Sequence, residues 1–237
     1  MRREEEEMDY LTHTDVLDYG FVRLVNFMGD DVAVVQAARV SFGKGATEPE
    51  RDRKLIHFLL ANRHETPFEH AVFKFHIKCP IFVARQWFRH RMASYNEISG
   101  RYVRMKEEFC LPQRLRTQKT LNYSYENVSE PLNEELLQKM KASYDRCYAL
   151  YRELLQEGVA KEHARLVLPL SLYTQFYWTV NARSLMNFLS LRLDEHAQFE
   201  IRQYAGIIGE AFREKMPMTY EAFAKYALGG EKWSESD

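Results

Sequence analysis

Cysteine is scarce in this chain. Cys79, Cys110 and Cys147 are the only three in 237 residues, they lie far apart, and no C-x-x-C pair occurs. That pattern excludes a disulfide scaffold or a thiolate zinc site and points to a reducing compartment. Excess charge is also missing. The 33 Lys and Arg residues against 34 Asp and Glu leave a net charge of -1 at pH 7. Nothing in that balance calls for a nucleic-acid or membrane partner, although it leaves room for a local basic cluster. The longest uncharged stretch, residues 166–182, is broken by Pro169, Ser171, Thr174, Gln175, Thr179 and Asn181. It falls short of the ~20 mostly apolar residues that a membrane span needs. Arg2 and Arg3 are followed by glutamates at 4–7, so no signal peptide is expected there. The expectation is a soluble, cytoplasmic protein.

Several motifs are absent too. No G-x-G-x-x-G follows a strand, Gly43-Lys44-Gly45-Ala46-Thr47 lacks P-loop spacing, and there is no G-x-S-x-G elbow. A Rossmann, Walker-type or α/β-hydrolase site is therefore not expected. His64 and His70 sit six apart around Pro67, whereas a zincin needs its histidines four apart on a helix, so no metal site is expected.

What remains is a globular composition, 46% hydrophobic and rich in rings, with 15 Phe, 14 Tyr and 3 Trp. Such rings suit a large core and stacking on a planar ligand alike. Residues 1–14 read as an acidic, loosely ordered lead-in, and 15–230 as a single domain. The patterning predicts two strands meeting at Tyr19-Gly20 and a helix capped at Asp30-Asp31. A second helix is expected over 50–62, an alternating strand over 73–78 and a helix over 81–93. Residues 96–105 are expected to be extended and the stretch to 129 irregular. Leu136, Met140, Tyr144, Cys147, Tyr151 and Leu154 recur at helical spacing up to Gly158. Further helices are expected over 161–168, 170–193 and from 194 onward. The class is α+β: a small, largely antiparallel sheet flanked by helices, with a helix-rich C-terminal half.

The densest polar segment runs from Arg85 to Tyr102. One reading makes Arg89, His90 and Arg91 a solvated helix C-terminus, where cations offset the macrodipole. The other notes that Gln86, Arg89 and His90 fall on one helix face and are followed by Glu97, Ser99, Gly100 and Arg101. Arginine forks take phosphate, and glycine lets backbone N–H groups approach an anion, so a phosphorylated planar ligand fits. Downstream lie Asn181, Arg183 and Asn187. Arg192, set among leucines, needs a carboxylate such as Asp194 or Glu195, or else an anionic ligand. Arg165 carries the same two readings.

Arg89-His90-Arg91, followed by seven residues and Ser99, resembles the signature of the flavin-dependent thymidylate synthases, also called thymidylate synthase-complementing proteins. His64-Glu65-Thr66-Pro67-Phe68-Glu69-His70, residues 82–88, Asn96 to Tyr102, residues 164–170, Asn181 to Asn187 and His196-Ala197-Gln198 resemble further family blocks in collinear order over 15–226. The resemblance implies conversion of dUMP to dTMP with 5,10-methylenetetrahydrofolate as one-carbon donor and FAD, reduced by NADPH, as hydride source. It also implies a homotetramer with active sites between subunits. By position it assigns FAD contacts to Thr66, Arg89, His90, Arg91, Glu97, Asn181, Arg183 and Asn187. It assigns dUMP contacts to Gln86, Arg89, Glu97, Ser99, Gly100, Arg101, Arg165 and Arg192. His64 and His196 fall near flavin or folate, and Arg192 takes the role of polarising the pyrimidine. No cysteine stands in a nucleophile's context, so the implied chemistry needs none.

Overall fold

A computed structural model describes residues 11–43, 45, 47–118 and 125–229. Residues 1–10 of the expected lead-in and 119–124 of the expected irregular stretch lie outside the described residues. The chain enters the fold in an antiparallel hairpin of β1 (Thr12–Val16) and β2 (Gly20–Met28), so residues 12–14 of the expected loose lead-in are instead paired in a strand, Thr12 opposite Leu24 and Thr14 opposite Val22. A side chain at Gly20 would stand 2.0 Å from the Tyr204 hydroxyl and 2.6 Å from the Val16 carbonyl, so the turn admits only glycine there.

Asp30 then caps α1 (Asp31–Arg39), its Oδ1 accepting the Ala33 N–H at 3.0 Å. Helix α2 (Pro49–Ala61) has proline in its first turn, where a missing N–H costs nothing. Its cap, Asn62, is followed by Arg63, one of two described non-glycine residues with positive φ, the other being Leu17. β3 (Val72–Pro80) alternates as its sequence predicts, burying Phe73, Phe75, Ile77 and Cys79.

Helix α3 (Ile81–Trp87) is shorter than the expected 81–93. The His90 N–H turns back to the Trp87 carbonyl at 3.0 Å, so Arg89 and His90 sit on the turn after the helix and not on one helix face with Gln86. β4 (Ser94–Glu97) is followed by a tight turn, not by extension to 105. Tyr102 and Val103 both donate to the Ser99 carbonyl, at 2.9 and 3.1 Å.

Within the stretch expected to be irregular, β5 (Arg116–Gln118) pairs antiparallel with β6 (Tyr125–Asn127). Helix α4 (Glu130–Gln156) follows as patterned. It holds the preceding loop from both sides: Met105 N–H donates to Tyr151 Oη and Tyr148 O–H donates to the Met105 carbonyl, each at 3.0 Å. After α5 (Lys161–Ala164) comes the largest departure from expectation. Residues 170–193 are not one helix but β7 (Tyr173–Asn181) followed by α6 (Ala182–Arg192). Thr174, Phe176, Trp178 and Val180 are buried in alternation, which is period two, and the aromatic and β-branched types suit a pleated surface. Asn181 marks the true helix start, its Oδ1 accepting the Ser184 N–H at 2.9 Å. The chain closes with α7 (Phe199–Lys215), α8 (Pro217–Phe223) and a π turn at Ala224–Leu228.

The sheet runs β1-β2-β3-β7-β4 with every neighbouring pair antiparallel. Its buried face packs on α3, α6 and α7 in a single core. At the centre Trp87 lies 5.2 Å from Trp178, and Phe188 lies 4.8 and 5.0 Å from these two rings. A buried carboxylate ties the two ends of the fold together. Asp31 accepts the Met218 N–H at 2.8 Å and the Thr219 N–H and hydroxyl at 2.9 and 2.6 Å, capping α8. Burial holds its carboxyl above the usual range although these hydrogen bonds favour the ion.

Candidate active site

A cavity of about 810 Å³ opens where the turn after α3 meets the end of β7 and the length of α6. Arg89, His90 and Arg91 form one side, and Asn181, Arg183, Asn187 and Arg192 form the other. The sheet brings them together: β7 ends at Asn181, which caps α6, and α6 carries Arg183 and Asn187 one turn apart and ends on Arg192. Its size is typical of cavities that enclose a small organic ligand.

Arg192 donates from Nε to His90 Nε2 at 3.1 Å and from Nη2 to the Gln86 carbonyl at 3.2 Å. No described carboxylate reaches it. Asp194 is occupied with His196 instead, accepting its N–H at 2.8 Å, so the salt-bridge reading of Arg192 is set aside. Burial, and then the nearby Arg89 charge, lower the proton affinity of the Arg192 guanidinium. The same burial, followed by the Arg192 charge, pushes the His90 imidazole down to about 4. His90 is therefore neutral at pH 7. Because its Nε2 accepts from Arg192, its proton sits on Nδ1. Tyr95 fixes this histidine from behind, its hydroxyl donating to the His90 carbonyl at 2.7 Å. The imidazole rests 4.9 Å from Phe188, so the aromatic core forms the floor. Arg89 and Arg91 line the cavity without a hydrogen bond or ion pair to any described residue. The cavity's two carboxylates, Glu65 and Glu69, are both taken by Arg183, so Arg89, Arg91 and Arg192 converge without a paired carboxylate and make a site for an anion.

Arg183 differs. Its Nε donates to Glu65 at 3.1 Å and its Nη1 to Glu69 at 2.6 Å. These two hydrogen bonds, Glu69 first, raise its proton affinity. The clamp is solvent-exposed, so it orients the fork more than it stabilises the fold. In the sequence the signal for this clamp is the pair of carboxylates four apart, Glu65 and Glu69, but nothing there joins them to Arg183 more than 110 residues on. Among the described residues, no group of three or more His, Cys, Asp or Glu is arranged to hold a metal. Gln198 accepts from Gln86 Nε2 at 2.5 Å. No pattern in the sequence joins these two glutamines.

The other expected site residues form a second group outside this cavity. Glu97 accepts from the Thr174 hydroxyl at 2.5 Å, and Ser99 Oγ accepts the Arg101 N–H at 3.3 Å. Arg101 pairs with Glu162 at 3.0 Å. A Cβ on Gly100 would lie 3.2 Å from the Arg165 side chain, so glycine lets that arginine lie across the turn. Thr66 starts the short helical turn that carries Glu69, but neither Thr66, His64 nor His196 lines the cavity. The chain thus presents two cationic clusters, one around Arg89 and Arg192 and one around Arg101 and Arg165.

The sequence pattern of the thymidylate synthase complementing proteins matches residues 23–218. A protein of Thermosipho africanus named flavin-dependent thymidylate synthase is 55% identical over 222 residues, covering 91% of this chain and 96% of its own. One of Thermus thermophilus with the same name is 52% identical over 224 residues, covering 94% of this chain and 82% of its own. Among solved structures, a UMP/dUMP methylase from Streptomyces cacaoi bound with 5-Br dUMP superposes with a TM-score of 0.83 at 36% identity. It covers 90% of this chain and 98% of that one. Sequence likeness across nearly the whole length and agreement in fold converge, and the chain belongs to the thymidylate synthase complementing protein family.

Proposed function

We propose that this protein methylates dUMP reductively to dTMP, taking the one-carbon unit from 5,10-methylenetetrahydrofolate, with FAD as cofactor and NADPH as reductant. The observation that carries this reading is Arg192: a partly buried guanidinium held by His90 and the Gln86 carbonyl, beside Arg89, with no described carboxylate to neutralise it. The residues present fit the cofactor, since Arg89, Arg91, Asn181, Arg183 and Asn187 offer a diphosphate and a polar flat ring the donors they need. When bound, reduced flavin supplies the hydride that completes the methyl group.

The chain's own part is positional and electrostatic. Arg192 faces the pyrimidine and favours the form deprotonated at N3, which drives electron density toward C5 and makes that carbon nucleophilic. His90, neutral and fixed by Tyr95, keeps the guanidinium aimed without adding a competing charge. Ser99, Gly100, Arg101 and Arg165 hold the uridine phosphate, with Gln86 and Glu97 at the base and sugar. No thiol takes part. Burial, then the Glu97 charge, push the Cys79 thiol well above its ordinary range, and burial, then Asp18, push Cys110 up to about 12. Neither would supply a thiolate near pH 7, and Cys147 lies on α4, away from the cavity.

The separation of the two cationic clusters supports a site completed by another copy of the chain, within a homotetramer. Residues 15–230 act as its single domain. No described helix is long and apolar enough to cross a membrane, and action in the cytoplasm fits the cysteine usage. Release of tritium from C5-labelled dUMP, dependent on folate and NADPH, tests the reaction, and sedimentation tests the assembly. A purified chain that takes up no flavin and releases no tritium would overturn the reading.

A further inference from the structure

The turn after α2 is shaped for a residue the chain does not use. Arg63 has φ = 57° directly after the helix cap, where its N–H meets the Leu60 carbonyl at 3.1 Å and the His64 N–H meets the Leu59 carbonyl at 2.8 Å. Glycine is the usual occupant of this position, because a Cβ crowds a left-handed backbone. Leu17, in the same condition, packs against the core. Arg63 does not. Its side chain is exposed and makes no hydrogen bond or ion pair with a described residue.

Arg63 lines a second cavity, about 240 Å³, which shares Glu65, Arg183 and Asn187 with the larger one. The rest of its wall is largely apolar, including Phe223 and Tyr226. Tyr226 is carried by the π turn, a rare geometry that recurs at functional sites. Of the two cations on this wall, Arg183 is already matched by Glu65 and Glu69; Arg63 is not matched. Backbone strain retained at a cavity mouth, where glycine would relieve it, points to a use for the side chain.

We propose that Arg63 binds the anionic arm of a flat-ring co-substrate whose ring enters this smaller cavity, the anion being a phosphate ester or a carboxylate. The identity of the co-substrate rests on the synthase reading; the anion site does not. Two sources share that chemistry: the extra ribose phosphate of NADPH and the glutamyl carboxylates of the folate.

The Arg63→Gly variant tests this. Its unfolding temperature is expected to rise by about 2 °C, since glycine relaxes the turn, while affinity for the anion falls about tenfold. Titrating the full chain with 2′-phosphoadenosine 5′-phosphate against adenosine 5′-phosphate reads the phosphate arm. Titrating it with pteroyltriglutamate against pteroylmonoglutamate reads the carboxylate arm. Arg63→Lys, which keeps the charge, is expected to retain most of the discrimination. Lost discrimination in one arm together with a stability gain supports the proposal. Unchanged discrimination in both arms overturns it, as does a fall in unfolding temperature, which would mark Arg63 as a packing residue. These titrations need no turnover, so a wild-type chain that fails to release tritium from dUMP would count against the synthase reading alone.

Discussion

Arg192 and His90, 102 residues apart in the chain, meet through a 3.1 Å hydrogen bond in which the imidazole accepts. That bond places the cation of α6 over the turn after α3. Arg192→Ala is expected to cut turnover by about 10²-fold or more while leaving the unfolding temperature nearly unchanged, because the side chain lines a cavity and not the core. Tritium release from labelled dUMP is the check, and near-normal turnover would refute the assignment.

The same bond predicts a pH effect on stability. His90 falls from an ordinary 6.5 to about 4 in the fold. Between those values the unfolded chain binds a proton that the folded chain refuses, so this group makes stability rise with pH across the window and level off above it. Asp31, with its affinity raised, has the opposite sign. The effect is therefore read as a difference: thermal unfolding of His90→Gln should show a shallower rise between pH 4 and 6.5 than the parent. Parallel curves would refute it.

Replacing Cys79, Cys110 and Cys147 together with alanine should lower the unfolding temperature, since two are buried, yet spare turnover per folded chain. A folded but inactive triple variant would require a thiol in the reaction.

Arg192 and Arg101 lie in different cationic clusters. Arg192→Ala and Arg101→Ala should each be nearly inactive alone. Unfolded together and reassembled, they should regain turnover well above either parent, because some sites would draw an intact cluster from each chain. No recovery from verified mixed assemblies would place both clusters in one chain's site.

Asp31→Ala removes three hydrogen bonds from the start of α8. It should destabilise the fold by about 2 kcal/mol, measured by denaturant unfolding, without altering substrate affinity at 25 °C. A loss below about 0.5 kcal/mol would mean water replaces the cap.

How far the sequence disclosed this fold depended on what each segment packs against. β3 and α4 were legible because one face of each is buried and the other wet, so the alternation of Phe73, Lys74 and Phe75, or the spacing of Tyr144, Cys147 and Tyr151, survives in the residue types. β7 was not. It sits between β3 and β4, its wet face still carries Tyr177 and Thr179, and the pattern blurs into a run that continues into α6. The sequence offers the candidate site as a set of residue types, and the resemblance implies their roles. What the sequence withheld was the partnership of Arg192 with His90, of Arg183 with Glu65 and Glu69, and the division of the arginines into two clusters. All three depend on the crossover that sets β7 between β3 and β4.

Both described indoles, Trp87 and Trp178, are fully enclosed, with Phe188 linking them to the imidazole on the cavity floor. The protein therefore carries its own optical gauge. Ultraviolet excitation should give blue-shifted emission from a water-free setting, and a yellow chromophore seated above His90 would drain that emission by energy transfer. Trp233 lies outside the described residues, and a Trp233→Phe variant would remove its background. Occupancy could then be followed continuously during turnover, with no dye attached.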